Sequence, residues 1–598
     1  MAHGFLLILL FSHIISTNVH ACNQTERASL LSFSSTLSSH PLNWTSVNCC
    51  CWKGIVCNQD GLVTHLLLSS KGLKGRLEIL DLSFNLLSGN LPFSLPSHNI
   101  QTLDLSSNRF HGAIPSSFFQ QARNLTSFNV NNNTFSGLIP SSICLHSSPL
   151  IRLLDFSFNA FSGKISPGLG ECSKLQIFRA GNNNLSGLLP NDIDNATKLE
   201  EIALPSNSLN GAIGERIFNL TNLAILDLSF NQFSGILPSH FGKLSKLKHL
   251  ALDCNHFEGS LPPSLMNCTN LVEIHMAVNN LEGDISMLNF SKLSHLSKLE
   301  LSLNHFTGTF PTSLYSCESL KSINLATNNL EGQIQPEILS LKSLTFLSLS
   351  GLTNINGAMK ILMHCKSLQT LLLSHSFNGE EIPTDEGMLE ILIMSGSRIT
   401  GPIPKSLGTL PKLLFLCMQD NQISGEFPKE LCGLPRISNW PPTISLSFNH
   451  IHGRIPTEIG QMHLVHTLDL SGNYFSGNIP EQISNLKNLE NLSLSMNQLS
   501  GNIPLSLASF SFLKYLNVSY NNLEGPIPTS TQLQSFNASA FEGNPNLCGA
   551  PLPNKCLPIK GIDANSKNNQ GVDNGHQFPW LYIFIALGFI IMYKIGSM

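Results

Sequence analysis

One spacing governs this chain. An asparagine recurs at 85, 108, 133, 159, 183, 207, 231, 255, 279, 304 and 328, then at 421, 449, 473, 497 and 521, mostly 24 residues apart. Around it stands L-x-x-L-x-L-x-x-N-x-L-x-G-x-I-P, clear in Leu223–Pro238, Leu247–Pro262 and Leu489–Pro504. No single copy is long enough to bury a core, so stability must come from stacking each turn on the next. L-x-L gives one short strand per turn, with leucines inward and the alternate residues outward. The Asn amide offers donors and an acceptor to the backbone of neighbouring turns. Gly supplies the turn that follows, and Pro restricts the chain after a second strand. The expected fold class is therefore an α/β solenoid with short parallel strands on its concave face. It runs over residues 62–528 in about 19–20 turns. Length alone, 598 residues, would allow three or four compact domains.

Composition narrows the functions. Charged residues make up 12%, and Lys+Arg 34 against Asp+Glu 38 leaves a net charge of −4, so no basic face for nucleic acid is expected. The 21 His are scattered, with no H-E-x-x-H or G-x-S-x-G among them. No enzyme, cofactor or metal is expected. Consecutive cysteines such as Cys49, Cys50 and Cys51 rarely point at one tetrahedral centre.

The ends have their own logic. Residues 1–21 read as a secretory signal peptide, with an apolar run Phe5–Ile15 and small residues at Val19 and Ala21. Phe578–Tyr593, extended to Ile595, reads as a membrane span (578–595). Trp580 and Tyr582 suit one interface and Tyr593 the other. A polar linker, 561–577, precedes it. The remaining residues, 596–598, are too few for a cytosolic domain. The expected placement is the plasma membrane, single-pass type I, with the bulk outside.

The I-P half of the repeat resembles the plant class of leucine-rich repeats. Cys22–Phe33 (CNQTERASLLSF) with Asn48–Cys57 (NCCCWKGIVC), and Gln532–Cys556, resemble the caps of plant receptor kinases and receptor-like proteins. The resemblance implies caps at 22–61 and 529–560, and disulfides Cys22–Cys49, Cys50–Cys57 and Cys548–Cys556, leaving Cys51 over. It implies an extracellular peptide or protein ligand on the concave face. It also implies a co-receptor kinase with its own leucine-rich-repeat ectodomain, docking near Asn473–Cys556. Cys172, Cys268, Cys317 and Cys365 recur before a repeat's first Leu and read as buried small apolar residues. Cys144, Cys254, Cys417 and Cys432 are solitary.

Glycosylation sequons start at Asn23, Asn43, Asn124, Asn132, Asn184, Asn195, Asn219, Asn267, Asn289, Asn491, Asn517 and Asn537. None starts between Asn289 and Asn491. That stretch is either a bare contact surface or simply poor in Ser and Thr after Asn.

The repeat breaks near 75, 351 and 435. From Lys71 to Asn85 is only 14 residues, so convex-side chain is missing after Gly75. At the second break Leu352 takes the Asn position, and Leu352–Cys365 (LTNINGAMKILMHC) with Lys366–Pro383 resembles the receptors for tyrosine-sulfated peptides, the phytosulfokine and tyrosine-sulfated glycopeptide receptor group. At the third, Asn421 to Asn449 is 28 residues, four above the period. The non-repeat island that forms much of the peptide site in that group is thus expected to be absent, and no island residue is carried over.

Outward strand positions supply the candidate ligand-binding residues. Arg179, Glu201, His249, Asp253, Glu273, His275, Lys298 and Glu300 form an ionisable stretch. Phe346, Ser348, Thr370, Leu372 and Phe415 follow as a less charged stretch beside the missing island. The Asp of L-D-L (Asp81, Asp104, Asp227, Asp469) reads as structural. The reading is a membrane-anchored receptor-like protein. Alternatives are a leucine-rich-repeat inhibitor of a secreted enzyme, and a truncated paralogue or incomplete gene model of a peptide-hormone receptor kinase.

Overall fold

A computed structural model describes residues 78–556 apart from 92–99, 121–122, 141, 146–149, 377–378, 381, 383–388, 435–440 and 511, together with 44–53, 55–57, 63–66 and a few positions of 24–31. The chain divides into Met1–Asn554, which holds the solenoid, and Lys555–Met598. The expected signal peptide, membrane span and break near 75 lie outside the described residues. Among the described residues no helix is long and apolar enough to cross a membrane.

Three-residue strands, one per turn, join into a single parallel sheet from Ile79–Asp81 to Tyr515–Asn517. The register sets equivalent positions side by side, as in Glu201↔Ile225, Ile225↔His249, His249↔Glu273 and Glu273↔Lys298. The central residue of each triplet is buried, and these residues merge into one core running through the stack. Short 3-10 turns such as Glu215–Asn219 and Pro263–Asn267 close the convex side.

The ladder asparagines explain their own recurrence. Asn255 Nδ2 donates to Leu252 O and Asp253 O in its own turn and to Leu228 O in the preceding one, at 3.2, 3.1 and 3.0 Å, while its Oδ1 accepts from Phe233 N at 2.9 Å. Asn207, Asn279 and Asn473 repeat the pattern. The residue before the ladder position is left-handed in turn after turn, including Phe230, Phe448, Met496 and Tyr520, with φ between 53° and 56°. A bond into the next turn holds it there, as Phe230 N donates to Asp253 O at 2.8 Å.

A second, lateral sheet has ten strands from Ser88–Gly89 to His305–Thr307 and five from His452–Arg454 to Asn546–Cys548. Between them, among the described residues, only the isolated bridges Pro402↔Ser424 and Glu426↔His452 remain. The second sequence break falls in this gap. There an α-helix, Ile355–Leu362, replaces the usual 3-10 turn, and Asn354 Oδ1 caps it by accepting from Gly357 N. Three successive ladder positions carry Leu352, Ser376 and Ser397. At the third break the concave sheet continues: Phe415–Cys417 pairs directly with Thr443–Ser445 in the register Phe415↔Thr443.

Cys50–Cys57 is formed, and Cys49, Cys548 and Cys556 are disulfide-bonded. One expectation is corrected. Cys172 is buried as expected, but Cys144 is not solitary: the two are joined, their Cα atoms 5.1 Å apart in successive turns. Their separation of 28 residues hid this, because Cys144 lies in the short helix Ser142–Leu145 and stacks over the following turn. Cys268 and Cys317 are buried thiols, donating to Phe241 O and Phe290 O.

Candidate ligand-binding face

Every residue expected on the concave face lies on a strand of the main sheet except Asp253, two residues beyond strand His249–Ala251. Three local groups result. In the first, Arg179 Nε and Nη2 donate to Glu201 Oε1 and Oε2 at 2.6 and 2.8 Å, and Nη1 lies 3.8 Å from Asp155. This fork-to-fork pair raises the Arg179 pKa, with burial opposing it.

Glu273 is the hub of the second. His249 Nδ1 lies 3.3 Å away, His275 Nε2 3.4 Å and Lys298 Nζ 3.3 Å. The hydrogen bonds from His249 and His275 hold the Glu273 carboxyl far below the usual carboxylate range. Burial works to lower the pKa of His275, but Glu273, Asp253 and Glu300 outweigh it and raise the value.

The third group is acidic and buried. Asp253 Oδ1 accepts from Ala277 N at 2.6 Å, and burial pushes its pKa up to about 6. Glu300 is 2% exposed, and burial pushes it up to about 7. Its Oε1 accepts from Ser302 N and the Ser302 hydroxyl, and hydrogen bonds from Ser302 and Asn324 oppose the effect of burial.

The sequence undervalued Asp227. Its Oδ1 accepts from Ser229 N and Oγ, the structural role expected of L-D-L. Yet it stands in line with Ala251 and His275, and burial raises its pKa too. The alternation of outward positions along the sheet was the available signal.

Further along, Phe346, Ser348 and Thr370 are buried on the concave side, and Leu372 and Phe415 are half-buried. Ile391 and Ile393, which nothing in the sequence singled out, pair with Thr370, Leu372, Phe415 and Cys417 and complete this apolar stretch. Among the described residues no group of three or more His, Cys, Asp or Glu has metal-binding geometry.

Comparison with known proteins agrees with this architecture. The leucine rich repeat model matches 221–281, a second leucine rich repeat model matches 76–98, 99–120, 124–145, 465–486, 488–510 and 512–533, and the leucine rich repeat N-terminal domain matches 23–58. Phytosulfokine receptor 1 of Arabidopsis thaliana is 37% identical over 32% of this chain, and receptor-like protein 3 of the same plant is 40% identical over 19%. The matched segments span only 20% and 15% of those two proteins. The leucine-rich-repeat ectodomain of the Arabidopsis receptor kinase HAESA, solved with an N-terminally extended IDA peptide hormone, is 30% identical with a TM-score of 0.58, covering 89% of this chain and 99% of that one. A chain from the complex of HAESA with IDA and the co-receptor SERK1 is 29% identical with a TM-score of 0.56, covering 90% of this chain and 100% of that one. The chain belongs to the plant leucine-rich-repeat receptor-like proteins.

Proposed function

We propose that this chain is a membrane-anchored extracellular receptor-like protein. It binds a peptide or protein ligand on the concave face and signals through a co-receptor kinase that has its own leucine-rich-repeat ectodomain. One observation carries the reading. The outward positions of a single unbroken sheet pass from an ionisable stretch, Arg179 to Glu300, across the polar pair Ser322 and Asn324 into a largely apolar one, Phe346 to Phe415. A strip with one charged and one apolar end offers an extended chain both a charge to pair and a surface to bury. The HAESA ectodomain, of the same architecture, was solved with a peptide hormone.

Anchoring rests on Phe578–Ile595 and secretion on residues 1–21. Co-receptor docking along Asn473–Cys556 is favoured by exposed Tyr474, Met496, Tyr515 and Tyr520. Sequons Asn491 and Asn517 lie on concave strands and are half-exposed. A glycan on either would stand on the sheet there and leave the left-handed column of Met496 and Tyr520 to the partner.

The test uses the full chain expressed in plant cells. Retention in carbonate-washed membranes, and peptide-dependent co-purification of a leucine-rich-repeat co-receptor kinase, are the expected results. Loss from washed membranes, or a soluble wall-degrading enzyme as the sole partner, would overturn the reading in favour of an inhibitor.

A further inference from the structure

On the third strand position Asp227, Ala251, His275 and Glu300 stand in register over successive turns. His275 is the one imidazole in that row, and its side chain is 23% exposed. Ionisable groups flank it on every neighbouring strand. Ile225–Asp227 brings Asp227, and His249–Ala251 brings His249, with Asp253 two residues beyond. Its own strand brings Glu273, and Lys298–Glu300 brings Lys298 and Glu300. The next strand, Ser322–Asn324, carries no charge. Glu273 ties the turns together. It meets His249 from the preceding turn, His275 from its own and Lys298 from the following one, at 3.3, 3.4 and 3.3 Å.

The charge of this group turns on three protons. With His275, Asp253 and Glu300 protonated, two carboxylates, Asp227 and Glu273, stand against two cations, His275 and Lys298. With those protons gone, four carboxylates stand against Lys298 alone. The protons leave over one range. Burial pushes Asp253 up to about 6 and Glu300 up to about 7. Burial disfavours the His275 imidazolium, yet Glu273, Asp253 and Glu300 together raise its pKa. Each of the three binds its proton more tightly folded than unfolded. The stability it confers is therefore full in acid and is lost as pH rises through its folded value. Glu273 has the opposite sign, but its pKa lies far below this range and it stays ionised throughout. Because Glu300 is 2% exposed, water and salt do little to screen its charge once it forms.

We propose that this group is a pH-responsive clamp on the ionisable end of the concave face: in acid it locks the turns from Asp227 to Glu300 together, and toward neutral pH the loss of three protons sets carboxylate against carboxylate and loosens them. The inference needs no ligand and stands apart from the proposed function.

The test is native-state hydrogen exchange read by mass spectrometry, on the full-length chain in detergent micelles at about pH 5.5 and about pH 7.5, with rates divided by the intrinsic rate at each pH. Leu252 N donates to His275 O and Met276 N to Glu300 O, so these amides report the contacts between the clamped turns. Their protection should fall about tenfold between the two conditions, relative to Leu494 and Val518 farther along the sheet. His275→Gln, neutral at every pH, should be loose already in acid and bring the ratio under about threefold. The doubly substituted Asp253→Asn, Glu300→Gln chain, unable to ionise there, should stay protected at the higher pH and reach the same low ratio. A merely structural role would lower protection equally in both conditions and leave the ratio unchanged. Unchanged protection at Leu494 and Val518 shows that each variant is folded. No fall in the native chain, an equal fall at Leu494 and Val518, or a fall that neither variant reduces overturns the clamp.

Discussion

At the scale of the residue, the ladder amide and the buried carboxyls make opposite demands. Asn255 is satisfied on both sides of its amide, so Asn255→Ala strands buried carbonyls of two turns and the Phe233 N–H. The expected loss is about 3 kcal/mol, read as a lowered denaturation midpoint. Asn255→Asp, which keeps only the acceptor, should lose nearly as much. Glu300 behaves differently. Its folded pKa, about 7, lies above the ordinary carboxyl value of 4.5, so the folded state holds the proton more tightly. The stability that goes with that proton is full below about pH 4.5 and is lost as pH rises through about 7. Asp253 adds the same sign up to about pH 6. Glu300→Gln should flatten the fall in melting temperature between about pH 5 and 7. Glu273→Gln should act the other way: its lowered pKa means stability present at neutral pH and lost on acidification. A pH profile unchanged by Glu300→Gln would refute the assignment. The ladder was legible in the sequence because its chemistry is the same in every turn that carries the Asn. The buried state of Glu300 was not, since outward position alone says nothing about how neighbouring side chains close over it.

At the scale of the element, each turn is fixed by how closely the convex side can stack. Gly408, in the 3-10 turn Lys405–Thr409, packs on Lys429–Gly433, and a Cβ there would fall 2.2 Å from Glu430 C and 2.3 Å from its carbonyl oxygen. Backbone cannot swing aside as a side chain can, so Gly408→Ala must push the adjacent turns apart, at about 2 kcal/mol. Gly433→Ala meets nothing within 4 Å and should be close to neutral. Equal effects in thermal denaturation would show that the turns stack more loosely than these distances imply. Strand positions followed directly from L-x-L. The helix Ile355–Leu362 did not, because its signal is local: Asn354 as cap, followed by Ile355, Ala358, Met359 and Leu362 on one buried face. The Cys144–Cys172 link was equally hidden, since Cys172 shares its repeat position with the unpaired Cys268 and Cys317, while Cys144 has no counterpart in the repeat.

At the scale of the whole molecule, a solenoid is only as cooperative as its weakest interface between turns. Two lattices bind successive turns besides the concave sheet, namely the Asn ladder and the lateral sheet, and both thin over the same stretch, where the lateral side keeps isolated bridges and single bonds such as Thr353 N to Gly332 O. Leu352 cannot bond at all through its side chain, and Ser376 and Ser397 reach less backbone than Asn: Ser397 Oγ contacts Leu373 O and Ser395 O, each at 3.2 Å. The lateral sheet ends at Thr307 and resumes at His452. The apolar stretch of the candidate ligand face lies on these turns, so the segment best suited to bury an extended ligand is also one where the Asn ladder is replaced by Leu and Ser and the lateral strands are interrupted. Native-state hydrogen exchange should therefore show a minimum there. Amides just past the strands, such as Leu373, which donates to Ile393 O at 2.8 Å, should exchange about tenfold faster than Leu228, which donates to Ala251 O at the same distance. Ser397→Asn, which adds Met394 O to the reach of the side chain, should narrow that difference. Equal protection along the sheet, or a minimum elsewhere, would mean that the concave sheet and the leucine stack alone set the cooperativity, and that the interrupted ladder carries no mechanical consequence.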